Sequence, residues 1–113
     1  MYAQGNIVNV DLGMPPKEVQ GHEQGYQRPC IVVKAFPSMH LAIVLPCTSK
    51  TPSYSHFTIV RLQKGSGGLA MDSFVLCHQV RTISFGRILK VVGNIGAKDL
   101  LKIKAVLIDT LDL

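Results

Sequence analysis

The chain has few aromatic residues and no long apolar run. It contains no Trp, and aromatic residues make up only 6% of its 113 positions. A broad stacking platform for nucleobases, as in single-strand-binding folds, is therefore not expected. No apolar run approaches the roughly 18 residues of a membrane-spanning helix, and the polar start Met1–Asn6 does not resemble a signal peptide. These features predict a soluble protein that does not use a membrane.

Cysteine and histidine are scarce and poorly spaced for metal binding. The cysteines lie inside apolar runs without any C-x-x-C pair, at Cys30, Cys47 and Cys77. An odd number of thiols buried in strands favours reduced cysteines in the core of a cytoplasmic protein over a disulfide or a zinc site. The histidines lack H-x-x-x-H spacing, at His22, His40, His56 and His78. We expect neither a metal nor a cofactor.

The charge balance is basic. Lys and Arg number 12 against 7 Asp and Glu, which gives a formal net charge of +5 and an isoelectric point of about 9.3. A moderate excess of this kind attracts nucleic acid or an acidic protein, although a solvated basic surface has the same composition. The length suits a single domain over residues 1–113 with one core.

Short, β-branched apolar runs separated by Gly, Pro and Ser predict strands joined by turns. We expect strands at residues 5–12, 30–36, 41–47, 56–62 and 74–83, and another around 88–92. The tail instead has apolar residues at helical spacing, which predicts a helix over residues 97–111 with Gly96 as its N-cap. The predicted fold is mainly β with a C-terminal helix, in which an antiparallel sheet is strongly bent or forms a small barrel.

Two segments are longer or more polar than structural turns need. Residues 13–27 include the pair Pro15-Pro16, and their length makes them a candidate lid or binding loop. Residues 48–55 are rich in hydroxyl groups and include Lys50. Both segments could contact a polar substrate, although the second also fits a solvated turn whose hydroxyls cap local backbone groups.

The first of these segments carries the side chains of phosphodiester chemistry. Residues 21–29 read GHEQGYQRP, with an acid, an imidazole and a guanidinium just before an apolar strand. Cleavage of RNA by its own 2′-hydroxyl needs a base, an acid and a cation. Arg28 is the candidate cation, because Pro29 biases it to an extended conformation and its planar fork matches phosphate. The alternative for Arg28 is a surface salt bridge.

Glu23 is the leading candidate proton carrier in this loop. His22 could share the role, since the ordinary imidazole pKa of about 6.5 suits transfer in either direction. Glu23 and Arg28 are five positions apart, so a turn at Gly25 is required for them to converge. For His22 and Glu23 the alternative is a hydrogen bond that only holds the loop.

Several segments together resemble the MazF/PemK toxins of bacterial toxin–antitoxin systems. They are GNIVNVDL at residues 5–12, GHEQG followed by RP at 21–29, PCTS at 46–49, QVRTI at 79–83, and the C-terminal helix. These segments occur in the family's order and spacing and cover nearly the whole chain. The resemblance implies a homodimeric, SH3-like barrel that cleaves single-stranded RNA without a metal. It also implies a cognate antitoxin that holds the toxin inactive.

The resemblance also suggests site residues. It assigns to Thr48 the hydroxyl that contacts the scissile phosphate, with Ser49 beside it as a second candidate. Where the family commonly has an acidic residue before QVR, this chain has His78, which is either a substitute proton carrier or a bystander. Which of Glu23, His22 and His78 is the base and which the acid stays open.

RNA contacts are expected from the two long loops and from the QVRT segment. The candidates are Tyr26, Ser49, Lys50, Gln79 and Arg81, with Tyr26, Tyr54 or Phe57 each able to stack one base. Arg81 could support either the fold or the RNA path. Two other functions fit the same residues. A small basic barrel could bind RNA or an acidic partner without cutting it, and a toxin of the same fold could poison a protein target.

Overall fold

The computed structural model describes residues 1–13, 26–53 and 57–113. These residues form seven strands and one α-helix, in the order β1 Asn6–Asp11, β2 Gln27–Phe36, β3 Leu41–Thr48, β4 Ile59–Leu62, β5 Ser73–Leu76, β6 Arg81–Ser84, β7 Ile88–Asn94 and α1 Ala97–Thr110. Short 3₁₀ turns occupy Pro37–Met39, Ser66–Gly68, Cys77–Gln79 and Phe85–Arg87. The predicted fold class, mainly β with a C-terminal helix, is confirmed. No helix in the described ranges is long and apolar enough to cross a membrane.

The strands form an antiparallel sheet with β3 as its branching point. The strand order is β4-β5-β3-β2-β1-β7, and β6 pairs with β3 beside this path. The first half of β3 pairs with β6, whereas Cys47 and Thr48 at its end pair with β5. One edge of β3 therefore pairs with two different strands, β6 and β5. The sheet bends where β6 and β5 meet along β3.

Alternation along β1 fills two cores on opposite faces of the sheet. Val8, Val10 and Leu12, the residues predicted to share one side, are fully buried in one cluster, which we call the far core. Ile7 lies on the opposite face in the helix-side core, which also contains Ile103 of α1. Strand alternation therefore directs neighbouring β1 residues to different cores.

The C-terminal helix begins as predicted, with Gly96 as its extended N-cap residue at φ −69° and ψ 158°. Its inner face buries Ile103 and packs Leu100 and Leu107 against the helix-side core. Its outer face is also apolar in part, because Leu101 is 70% exposed and Ile108 is 51% exposed. Both faces of this helix therefore carry apolar residues.

The predicted strand over residues 74–83 is wrong in its continuity. Thr48 pairs with Phe74, so an unbroken strand would place His78 opposite Val44; Val44 is instead paired with Arg81. The three extra residues form the 3₁₀ turn Cys77–Gln79 between β5 and β6. The sequence is apolar on both sides of this insertion, so its hydrophobic pattern does not reveal the break.

The other strand predictions differ mainly at their ends. β2 begins three residues earlier than predicted, because Pro29 is paired with Asn9 of β1 inside the ladder. β7 continues to Asn94, beyond the predicted end at residue 92. β4 begins at Ile59, whereas His56 at the predicted start lies outside the described residues.

Candidate active site

The ends of β2 and β3 bring Arg28 and Thr48 to the same side of the sheet. Cys30 of β2 is paired with Pro46 of β3, and paired residues in an antiparallel ladder point to the same face. Side chains two residues apart on a strand point to the same face. Arg28 therefore points to the same face as Cys30, and Thr48 to the same face as Pro46. The candidate phosphate-binding cation and the candidate hydroxyl therefore lie on the same face of neighbouring strands.

Thr48 is held in place by its own backbone turn. The residue is 9% exposed, and its hydroxyl oxygen accepts a 3.2 Å hydrogen bond from the backbone N–H of Lys50. Because this bond uses an oxygen lone pair, the hydroxyl hydrogen stays available for another acceptor. Ser49 and Lys50 follow as exposed residues at the end of the strand.

A cleft of about 190 Å³ opens beside these strand ends. Its walls include Gln27, Arg28, Ser49, Met71 and Ser73. Of the candidate residues, Arg28 and Ser49 line this cleft, whereas Thr48 does not. Sequence reasoning missed Gln27, Met71 and Ser73, since no motif marks them.

The long loop departs from and returns to one point next to Arg28. The backbone N–H of Leu12 donates to the Tyr26 carbonyl at 2.8 Å, and that of Tyr26 donates to the Gly13 carbonyl at 2.7 Å. Tyr26 itself adopts a left-handed conformation with φ 60° and is 51% exposed. His22 and Glu23 lie between these two ends, outside the described residues.

Two arginines hold the start of this loop. Nη1 of Arg81 donates to the Leu12 carbonyl at 3.0 Å, and Nη1 of Arg87 donates to the Asp11 carbonyl at 3.2 Å. Arg81 was expected to support either the fold or the RNA path, and in the structure its guanidinium contacts the protein backbone. The hydrogen bonds of charged donors are stronger than neutral ones, so these arginines fix the loop's point of departure.

His78 is placed in the 3₁₀ turn after β5, where its Nδ1 lies 2.8 Å from the Thr58 hydroxyl. The same turn is fixed by a 3.0 Å hydrogen bond from the Cys77 N–H to the Thr58 carbonyl. Of the described candidate residues, six do not line the cleft: Tyr26, Thr48, Lys50, His78, Gln79 and Arg81. The structure therefore brings together only part of the predicted set.

Among the described carboxylates, Asp72 is nearest in sequence to residues that line the cleft, because it lies between Met71 and Ser73. It forms a 2.8 Å salt bridge with Arg61 and accepts a 2.7 Å hydrogen bond from the Lys64 backbone. The side-chain hydrogen bond from Arg61, followed by the backbone bond, lowers the pKa of Asp72. A carboxylate stabilised in this way is a poor base.

The buried thiols are unsuited to proton transfer. Burial raises the pKa of Cys30 to about 12 and that of Cys77 to about 11. Burial also raises the pKa of Cys47, which lines the cleft, well above its ordinary value. The three residues are free cysteines. At neutral pH they are protonated, and we expect them to act only as core side chains.

Within the described ranges, no group of three or more His, Cys, Asp or Glu side chains is placed to hold a metal ion.

The sequence profile of the PemK-like, MazF-like toxins of type II toxin–antitoxin systems matches residues 3–111. The chain belongs to this family. Endoribonuclease activity is the function associated with MazF toxins. No curated protein sequence matches the chain significantly.

Solved structures of MazF toxins share the fold. The Deinococcus radiodurans MazF is 23% identical with a TM-score of 0.79, over 97% of this chain and 96% of that chain. A mycobacterial endoribonuclease solved with its cognate antitoxin is 16% identical with a TM-score of 0.75, over 100% and 97%. The Mycobacterium tuberculosis toxin MazF-mt6 is 18% identical with a TM-score of 0.73, over 96% and 97%. At these identities the likeness establishes the fold.

Proposed function

We propose that this MazF-family toxin is an endoribonuclease that cuts single-stranded RNA by attack of the 2′-hydroxyl on the adjacent phosphate. The supporting observation is the placement of Arg28 and Thr48 on one face of β2 and β3, where the loop containing His22 and Glu23 begins and ends. Their chemistry matches the needs of the reaction, which are a cation, a hydrogen-bond donor and proton carriers.

Arg28 stabilises the charge that develops in the reaction. The five-coordinate phosphorus carries an additional negative charge, and a planar guanidinium can donate two parallel hydrogen bonds to its oxygens. Thr48 donates its remaining hydroxyl hydrogen to a further phosphate oxygen, while Lys50 N–H keeps the hydroxyl oriented. Both contacts strengthen as charge accumulates, which is the condition for accelerating the reaction.

The proton carriers in this proposal are Glu23 and His22. One of them removes the 2′-hydroxyl proton and the other protonates the departing 5′-oxygen. Asp72 is occupied by Arg61, and His78 bonds Thr58, so neither is assigned to proton transfer. We assign His78 to holding the turn between β5 and β6. The products are a 2′,3′-cyclic phosphate and a 5′-hydroxyl, and no metal takes part.

We propose a cognate antitoxin and a second copy of the chain as protein partners, in the bacterial cytoplasm. The mycobacterial endoribonuclease was solved with its antitoxin, and Deinococcus radiodurans MazF was solved with MazE. The outer face of α1 supports self-association, because Leu101 and Ile108 leave an apolar surface that the protomer does not cover.

The test is incubation of the purified protein with a long single-stranded RNA of mixed sequence in EDTA. Discrete fragments from the wild-type protein, with intact RNA in a parallel reaction containing Arg28→Ala, would support the proposal. RNA that stays intact but bound would favour a binding module without catalysis. RNA that is neither cut nor bound would favour a toxin with a protein target.

A further inference from the structure

The chain leaves β1 through a turn that the side chain of Asp11 holds. Asp11 is the last residue of β1, and its carboxylate accepts a 3.0 Å hydrogen bond from the backbone N–H of Gly13. Aspartate commonly forms such a turn with the N–H two residues further on. Gly13 is buried and has φ +98°, a left-handed conformation that favours glycine. The Asp11 side chain therefore helps to set the direction in which the chain leaves the sheet.

The backbone of Asp11 is also fixed. Nη1 of Arg87 donates to the Asp11 carbonyl at 3.2 Å. Asp11 is paired with Gln27 of β2, and Gln27 lines the cleft that contains Arg28. The carbonyl and the carboxylate of Asp11 thus bond different partners. Asp11 connects the end of the β1–β2 ladder, beside the cleft, to the first turn of the long loop.

The far end of the long loop closes on the same turn. The N–H of Tyr26 donates to the Gly13 carbonyl, and the Tyr26 carbonyl accepts from the N–H of Leu12. We call Leu12, Gly13 and Tyr26 the loop neck. Tyr26 has φ 60°, which is unfavourable for a residue with a Cβ atom, so these hydrogen bonds hold it there. Loss of the Asp11 carboxylate would release the Gly13 N–H and loosen the residue that holds Tyr26.

We infer that Asp11 is a positioning residue for the reaction. Its hydrogen bond keeps the loop neck in one conformation, so that His22 and Glu23 reach the phosphate bound by Arg28. The inference rests on the proposed function, which assigns proton transfer to His22 and Glu23. Asp11 is not one of the described residues that line the cleft, so it acts through the backbone. Proton transfer requires hydrogen-bond distance, and a misplacement of about 1 Å can cost about 100-fold in rate.

The test compares Asp11→Ala with Asp11→Asn in steady-state cleavage of a single-stranded RNA in EDTA. Alanine removes the hydrogen-bond acceptor, whereas asparagine keeps a side-chain oxygen for the Gly13 N–H without the charge. Asp11→Ala should lower kcat about 10- to 100-fold and leave KM within about threefold, because Arg28 and Thr48 still bind the phosphate. Asp11→Asn should restore most of the wild-type kcat.

Asn6→Ala is the matched control at the opposite end of β1, about 17 Å along the strand. The Asn6 side-chain oxygen accepts a 2.7 Å hydrogen bond from the Ala3 N–H, so this variant also loses a side-chain bond to the backbone. Thermal unfolding of every variant sets an assay temperature at which all are folded. Asn6→Ala should keep the wild-type kcat.

Amide hydrogen exchange of the ¹⁵N-labelled protein measures the loop neck directly and without RNA. Exchange at Gly13 and Tyr26 should be about tenfold faster in Asp11→Ala than in the wild-type protein, because the bond that closes the turn is lost. Asp11→Asn and Asn6→Ala should exchange at these two positions as the wild-type protein does.

Several outcomes would overturn the role of Asp11. They are a wild-type kcat in Asp11→Ala, equal losses of kcat in Asp11→Ala and Asn6→Ala, and unchanged exchange at Gly13 in Asp11→Ala. Failure of Asp11→Asn to restore cleavage would also overturn it, since the charge and not the hydrogen bond would then be required. Each of these outcomes leaves the endoribonuclease standing, whereas RNA left intact by the wild-type protein would refute the proposed function itself.

Discussion

The guanidinium of Arg81 donates a 3.0 Å hydrogen bond to the carbonyl oxygen of Leu12, which is 69 positions away in the chain. This bond connects β6 to Leu12, the residue after β1, where the segment that contains His22 and Glu23 begins. Arg81, in the QVRT segment, therefore supports the site through the backbone and does not line the cleft. From this contact with the backbone we predict that Arg81, although outside the cleft, affects the reaction.

Arg81→Ala should lower both stability and cleavage. The part-buried Leu12 carbonyl loses a charged donor, and such losses reduce the free energy of unfolding by about 1–3 kcal/mol. Cleavage should fall because the start of the loop is no longer fixed beside Arg28. Urea denaturation and RNA cleavage on the same samples measure the two effects. Arg81→Lys should recover part of each, and wild-type values for Arg81→Ala would contradict this role.

Arg28→Ala should reduce cleavage by about 10²–10³-fold, the effect of removing one donor that stabilises transition-state charge. Its unfolding free energy should change by about 1 kcal/mol or less, because Arg28 lies at the end of β2 outside both cores. Arg28→Lys should also cleave poorly, since an ammonium group does not reproduce the planar fork. Cleavage by Arg28→Ala within tenfold of the wild-type rate would remove Arg28 from the site.

His78→Gln should retain the pH profile of cleavage from about pH 5 to 9, whereas His22→Gln should change it. Only His22 lies in the loop that begins and ends beside Arg28, and His78 is bonded to Thr58. Glutamine keeps a hydrogen-bonding side chain but carries no proton in this range. Loss of both rate and pH dependence in His78→Gln alone would instead make His78 the proton carrier.

Stability should fall in alkaline solution because of the buried thiols. The pKa of Cys77 is raised to about 11, against about 9 for an exposed thiol. Between these values the unfolded chain releases a proton that the folded chain keeps, so the free energy of unfolding decreases as pH rises. Urea denaturation at pH 7, 9 and 10 measures this decrease. Cys77→Ala should show a smaller decrease, and an equal one would show that other groups cause it.

The sequence was sufficient to predict the fold where local patterns decide it. Two patterns predicted which side chains are buried in a core, and both predictions were confirmed. They are the alternation of Val8, Val10 and Leu12 and the helical spacing of the tail. The break at Cys77–Gln79 was missed because it arises from pairing of β5 and β6 with one strand, β3. Such a shift depends on the whole sheet and leaves the local hydrophobic pattern unchanged.

The candidate site was only partly predictable for the same reason. The chemistry of Arg28 is visible in its residue type, whereas Thr48 became a candidate through the family resemblance. Gln27, Met71 and Ser73 could be associated with the cleft only once the fold was known, since no motif marks them. The role of Arg81 likewise depends on the position of the Leu12 carbonyl, which side-chain chemistry does not reveal.

The central claim is attack by the 2′-hydroxyl, and the most direct measurement is end-group analysis of RNA cut in EDTA. A cut site is first mapped with the wild-type protein, and the same RNA is then made with a single 2′-deoxy ribose at that position. The account predicts a 2′,3′-cyclic phosphate and a 5′-hydroxyl on the ordinary RNA, and no cut at the substituted position. A 5′-phosphate product, a requirement for Mg²⁺, or undiminished cutting of the 2′-deoxy RNA would contradict it.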